Sequence, residues 1–328
     1  MTDAVVDAPR FEAALEHRRF AELAEALGSV MTDVRAGRRL VQPLLGPTQV
    51  GKTLLARGTG AIEVERPTYP LCPVEALYVE MPTRPTSKTL PLAILRSLGL
   101  PHVATQQANA SADMLTDLCF RQLGHARTRL MVIDELQHAV EPSSHIKPRH
   151  ISDLLKYFYN HLNLSMLLVG LPKAHVIFDQ NEQLADRANN TLYFLPYRWT
   201  IDADREAFAA AVASFLEVLH QHGFALAADY AETVRCLYAE SGGRVGHVAR
   251  VMSRVAEHAE PKHGGLTRAS FGLVCQRLFN RPYGERSAFE LDELPDQKLV
   301  QSYNRILKDA DVPLLQPHLL DVAAELDD

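Results

Sequence analysis

Apolar positions divide the chain into two textures. Up to about residue 200, short apolar runs alternate with amphipathic stretches. The apolar runs are "GRRLVQPLLG" ending at Gly46, "EALYVEM" (75–81), "RLMVIDE" (129–135), "LSMLLVG" (164–170) and the more polar "TLYFLPY" (191–197). Between them, "SKTLPLAILRSLG", "ASADMLTDLCFRQLGHA" and "ISDLLKYFYNHLN" place apolar residues at helical spacing. Strands alternating with helices predict a parallel sheet with helices on both faces. Pro43 removes one ladder donor, so it is expected near its strand's start or at an edge register. Residues 9–36 read as a helix, with Phe11, Leu15, Phe20, Leu23, Leu27 and Met31 at roughly helical spacing.

After Trp199 only helical patterns remain, over 203–220, 226–240, 244–259 and 267–280. From about 281 the chain is polar and acidic, with short apolar patches at "LVQSYNRIL" and "VPLLQPHLLDVAAEL". The expected division is an N-terminal helical segment (1–37), an α/β domain (38–200), a helical domain (201–280) and a C-terminal tail (281–328). The tail either binds a partner or packs as an extension.

Composition narrows the class. The chain has 328 residues with 47% hydrophobic positions, as in a soluble globular protein. No apolar run of about 18 residues suggests a membrane span, and the first residues lack the pattern of a secretory signal. Cys72, Cys119, Cys236 and Cys275 form no CxxC pair, so reduced thiols in the cytoplasm are expected. A net charge of −6 excludes a broadly basic nucleic-acid surface but leaves room for a local basic loop.

The chemistry concentrates in one octapeptide. Gly46, Pro47, Thr48, Gln49, Val50, Gly51, Lys52 and Thr53 fit GxxxxGK[ST] at every fixed position, and Leu54 continues into an apolar helix. The glycines let backbone N–H groups converge on phosphate, and a helix starting at Lys52 adds its positive end. Lys52 reaches the β- and γ-phosphate oxygens, and the Thr53 hydroxyl ligates Mg²⁺. The partner motif is an apolar strand ending in carboxylates, "LMVIDE". Asp134 is expected to hold Mg²⁺ through its water shell and Glu135 to orient and deprotonate the attacking water. A P-loop sheet domain followed by a small all-helical lid is the AAA+ arrangement. The fold class expected is therefore α/β, an AAA+ P-loop NTPase whose parallel five-stranded sheet is flanked by helices, plus a helical lid.

Several further stretches resemble one AAA+ branch. They are "YVEMPTRPTSKTLPLAILRSLGLP", "MVIDELQHAV", "LLKYFYNHLNLSMLLVGLPKAH", "QLADRANNTLYFLPYRW" and "SGGRVGHVARVM". Together they resemble the TniB/TnsC family of transposition-regulating ATPases, to which MuB is a more distant cousin, over roughly residues 10–280. The resemblance implies that Gly46, Gly51, Lys52 and Thr53 bind ATP and Mg²⁺, and that Asp134 and Glu135 serve metal and water. It makes Arg187 the candidate arginine finger acting on a neighbouring subunit's ATP. The reading left open is a surface arginine paired with Asp186. Two departures stand out. Leu171 occupies the place where many AAA+ proteins carry a polar sensor, and a side chain without donors cannot position the lytic water. Arg244 directly follows Gly243, so Arg244 and Arg250 both compete as lid arginine.

With this resemblance, DNA contact falls on two loops. One carries Arg84, Thr86 and Lys88; the other carries Lys147, Arg149 and His150. Such groups bind phosphates without reading sequence. The resemblance implies a regulator that oligomerises on double-stranded target DNA as a hexameric ring, heptameric ring or helical filament. It would recruit or activate a transposase alongside a TniQ-type target selector, with hydrolysis driving disassembly and no membrane involved. The alternatives are a helicase loader or replication-initiation ATPase of the IstB/DnaC kind, and a signalling NTPase with no DNA role.

Overall fold

The computed structural model describes residues 17–59, 73–107, 109–141, 148–258, 265–278 and 285–312, with backbone alone at Pro148 and Arg149. It divides into two compact units. One is Glu22–Gly46 with Lys52–Phe194, here the sheet unit; the other is Met1–Ala21, Pro47–Gly51 and Leu195–Asp328, here the helical unit.

The sheet unit holds five parallel strands in the order β2-β3-β4-β1-β5. They are β1 (Val41–Leu45), β2 (Ala76–Glu80), β3 (Leu130–Asp134), β4 (Ser165–Gly170) and β5 (Leu192–Tyr193). Every residue of β1, β3 and β4 is buried, which is why these strands read as unbroken apolar runs instead of alternating ones. Helices α2 (Lys52–Gly58), α3 (Thr89–Ser97), α4 (Pro101–Gln106), α5 (Ala112–His125), α6 (Pro148–His161), α7 (Val176–Asp179) and α8 (Glu182–Ala185) fill the crossovers. The first helix, α1 (Arg18–Arg35), precedes the sheet; the expected start at residue 9 lies outside the described residues. Ser111 caps α5 by accepting the Met114 N–H at 3.2 Å. The register aligns Leu45 with Gly170 and Glu80 with Asp134, so the strands end along one edge.

Pro43 sits in the middle of β1, not at its start, and its ladder geometry explains the tolerance. Val41 exchanges backbone bonds on the β5 side, with Arg187 O and the Asn189 N–H. Two residues on, Pro43 turns its missing donor to that same side, where β5 pairs only at Leu44 and Leu45. The Gln42 amide closes the gap, donating to Pro43 O at 3.0 Å and to Asn190 O at 2.9 Å. The expected strand 191–197 is correspondingly short. After Phe194, whose N–H still reaches Leu45 O, the next backbone bond runs from the Tyr197 N–H to Gly243 O.

The helical unit contains α9 (Asp202–Gln221), α10 (Tyr230–Ser241), α11 (Val245–His258), α12 (Arg268–Leu278) and α13 (Asp296–Asp309). Its core gathers Phe208, Phe215, Leu237, Val251, Met252 and Phe271. Trp199 is buried there, as expected of a core residue. The helix expected from 226 begins only at Tyr230, because Asp229 caps it through the Glu232 N–H at 2.8 Å while Leu226 bridges to Leu266. The described part of the tail packs as an extension. Helix α13 buries Leu299, Val300, Tyr303 and Leu307 and lies against α10. Cys119, Cys236 and Cys275 are buried; Cys72 lies outside the described residues. Among the described residues no helix is long and apolar enough to cross a membrane.

Candidate functional site

In the sheet unit, the site is built where β1, β3 and β4 end. Gly46 follows β1, and its N–H donates to Gly170 O at 3.1 Å. A Cβ at Gly46 would lie 2.2 Å from Phe194 O, so no larger residue fits there. Lys52 opens α2, and its Nζ donates to Gly46 O at 2.8 Å. Lys52 is half-buried, and desolvation lowers its pKa to about 8, against the opposing pull of Asp134 and Glu135.

Asp134 closes β3 and is 2% exposed. Its Oδ2 accepts the Thr53 hydroxyl at 2.7 Å and the Tyr78 hydroxyl at 2.8 Å, and its Oδ1 accepts the Glu135 N–H at 2.8 Å. Burial, then the Asp134 charge, pushes the Tyr78 hydroxyl well above its usual range. Arg57 stands 4.6 Å over the Tyr78 ring. The donor set suits Mg²⁺, a hard ion that takes one or two carboxylates and completes its shell with phosphates and water. Among the described residues, no group of three or more His, Cys, Asp or Glu side chains stands together as a metal cage.

Glu135 has a left-handed backbone, φ 58° and ψ 35°. That conformation is uncommon for a non-glycine residue and marks stored strain. Its Oε2 accepts a bond from Gln137 Nε2, while Gln137 Oε1 accepts the Leu171 N–H at 3.0 Å. His138 Nε2 lies 4.0 Å from the same Glu135 oxygen. Neither Tyr78 nor Gln137 was singled out by motif. The sequence signal is a polar side chain two positions after the acidic pair and another inside an apolar strand.

In the helical unit, Thr48 and Gln49 are exposed, whereas Pro47 and Val50 are buried. Arg244 Nη1 donates to Thr48 Oγ1 at 3.4 Å and its Nε to Ser241 O at 2.7 Å. Burial, with Arg305 adding repulsion, lowers the Arg244 pKa to about 10. His247 Nδ1 is bonded to Gln49 Oε1. Gly246 permits the approach, since a Cβ there would lie 2.5 Å from Gln49 O. Gln49 itself has φ 62°. Arg250, the other candidate for a lid arginine, is exposed, and His247 is a residue that the motif reading missed.

The remaining candidates lie in the sheet unit. Leu54 is 36% exposed. Arg187 donates to Gln183 O and stands 5.6 Å over the Tyr159 ring. Arg84 and Lys88 are exposed. The Thr86 hydroxyl is engaged locally, accepting the Thr89 N–H at 2.9 Å and donating to Thr89 Oγ1 at 3.1 Å, in the turn that opens α3. His150 lies exposed in α6. Lys147 and the Arg149 side chain lie outside the described residues.

None of the curated proteins compared with this chain matches it. Among solved structures, the ORC2 protein of Aeropyrum pernix, described as ADPNP-ADP complexes, is similar with a TM-score of 0.56 and 16% identity, covering 92% of this chain and 82% of that one. Cdc6p from Pyrobaculum aerophilum is similar with a TM-score of 0.56 and 13% identity, covering 94% and 83%. At these identities the likeness shows a shared fold and nothing beyond it. The family profile described as "Bacterial TniB protein" matches residues 5–194, more than half of the chain, and the chain belongs to the TniB family.

Proposed function

We propose that this chain is an ATP-dependent, DNA-binding regulator of transposition. The observation that carries the nucleotide part is the 2.7 Å bond between Thr53 and Asp134, which joins a GxxxxGKT loop to an acidic strand. In this reading the backbone from Gly46 to Gly51 and the Lys52 ammonium bind the phosphates, with Leu54 beside them. Thr53 and Asp134 hold Mg²⁺, which when bound neutralises charge on the phosphate oxygens. Glu135 takes the proton of the attacking water. Arg187 acts on the ATP of a neighbouring subunit, and Arg244 serves as the lid arginine. Residues 38–200 form the ATPase domain, 201–280 the lid and 281–328 the C-terminal tail.

The protein then assembles as a homo-oligomer, ring or filament, on duplex DNA in the cytoplasm. Arg84, Thr86, Lys88, Lys147 and Arg149 contact the phosphate backbone. ATP binding promotes assembly, and hydrolysis releases it. Membership of the TniB family supports a transposase and a TniQ-type selector as partners, in preference to a replicative helicase.

Electron microscopy of the protein with duplex DNA and a slowly hydrolysed ATP analogue tests the reading. Ordered assemblies are expected, and Lys52→Ala should abolish them together with ATP binding. DNA assemblies that ignore nucleotide, or a Lys52→Ala protein with normal ATP affinity, would overturn it. Mixing Arg187→Ala with Lys52→Ala tests the finger. One supplies an intact phosphate site and the other an intact arginine, so mixed oligomers should recover part of the turnover that each lacks alone.

A further inference from the structure

Leu171 offers no side-chain donor at the end of β4, yet that position is not without a polar group. Gln137 reaches it from the turn after β3 and is 6% exposed. The Leu171 N–H can only donate, so the Gln137 amide must present its oxygen there, and does so at 3.0 Å. The amide NH₂ is thereby left for Glu135 Oε2, to which it is bonded. One buried side chain therefore joins the Glu135 carboxylate to the backbone at the end of β4.

Two further observations show that this arrangement is built into the fold. A Cβ at Gly170 would stand 2.9 Å from Gln137 Oε1 and 3.0 Å from Leu136 Cβ, so the close approach depends on glycine at the last position of β4. The same two turns are tied again nearby. Lys173 Nζ pairs with Glu141 Oε1 at 3.0 Å, and His138 Nδ1 meets Glu141 Oε2 at 3.1 Å. Lys173, followed by His138, holds the Glu141 carboxyl below its usual range.

We infer that Gln137 is the positioning residue for Glu135, and that through the Leu171 N–H it fills the place of the polar sensor that β4 lacks. The inference rests on the proposed role of Glu135 as general base. Glu135 has a strained backbone and a side chain with several rotamers. A donor locked at its far end removes that freedom and leaves Oε1 for water. Because Gln137 is tied to β4, any shift of that strand end is passed to the carboxylate.

Steady-state ATP turnover of the full chain on duplex DNA tests this. Gln137→Met should lower kcat about 10- to 100-fold and leave KM for ATP within about twofold, since the ground-state phosphate contacts are untouched. Gln137→Glu, near in size, puts a second carboxylate against Glu135. It should move the acidic limb of the kcat–pH profile to higher pH, which a merely structural role would not do. In a Glu135→Gln background, Gln137→Met should add no further loss. A kcat within about twofold of wild type, an unmoved pH limb, or additive losses in the double variant would each overturn the inference. If Gln137→Met fails to fold, the pH limb of Gln137→Glu decides alone. If Glu135→Gln turns over like wild type, or wild type shows no turnover, the general-base reading has failed and this inference falls with it.

Discussion

The Thr53 hydroxyl donates to Asp134 Oδ2 at 2.7 Å, although 81 positions separate the two residues in the chain. The bond exists because β1 and β3 flank β4 in one parallel sheet and end at the same edge. It places the two hard oxygen donors of the site side by side. Tyr78 is the third member, holding the same carboxylate oxygen from the neighbouring strand β2.

Removing that third member gives a stability test. Tyr78→Phe keeps the ring under Arg57 but deletes the 2.8 Å bond to a buried carboxylate. Hydrogen bonds to charged groups contribute about 1.5–3 kcal/mol. Urea unfolding of the nucleotide-free protein should show a loss in that range. An unchanged midpoint would mean that Thr53 and the Glu135 N–H satisfy Asp134 without help.

Lys52 should make both stability and ATP binding depend on pH. Its folded pKa is about 8 against an ordinary value of 10.5. Between those values the unfolded chain holds a proton that the folded chain has lost, so the stability contribution of Lys52 rises as pH climbs through that window. Below about 8 both states are protonated and the penalty of the desolvated charge is fully present. Lys52→Met should abolish this rise. Bound phosphate favours the ammonium, so ATP binding near about pH 9 should take up a proton. Calorimetry in two buffers of different ionisation enthalpy measures that uptake, which should be absent at about pH 6.5.

The exposed pair Arg84 and Lys88 stands beside a fixed turn, with Thr86 and Thr89 holding the backbone between them. Arg84→Ala with Lys88→Ala should weaken duplex binding similarly on unrelated sequences. The slope of log affinity against log salt should flatten by about 0.9 for each phosphate contact removed. ATP binding should survive, since neither residue belongs to the phosphate loop. An unchanged slope would assign the DNA elsewhere.

Two glycines should respond to alanine with opposite signs. Gly243 has φ 80°, and a Cβ there would fall 2.2 Å from Tyr197 O, the same oxygen that accepts the Tyr238 hydroxyl at 2.7 Å. Gly243→Ala should cost at least about 2 kcal/mol, read as a drop in thermal midpoint. Gly28 lies in α1 with nothing within 4 Å of a built Cβ. Gly28→Ala should raise stability by about 0.5–1 kcal/mol through helix propensity alone.

Some of this protein was legible along the chain. Strands β1, β3 and β4 are buried on both faces, so burial writes itself as continuous apolar runs. The loop from Gly46 to Thr53 carries its chemical types in one contiguous stretch, and a pattern of that kind survives without coordinates. Helix α10 was readable in its body but not at its start, because the Asp229 cap and the Leu226–Leu266 bridge outweigh apolar spacing at the boundary. Strand β5 was over-read for a similar reason. Its apolar residues continue past Phe194, but their backbone bonds turn to Gly243.

What only the tertiary structure decided are groups whose meaning depends on a partner far along the chain. Pro43 is tolerated in mid-strand because the register turns its missing donor toward a two-residue edge strand. Gln137 matters because Leu171, 34 positions later, offers it a backbone N–H. His247 meets Gln49 across 198 positions. Composition and periodicity report how much of a residue is buried, since burial follows from its own side chain and near neighbours. They carry no record of which donor faces which acceptor, because that is set by strand order and register, and these emerge only when the whole chain has packed.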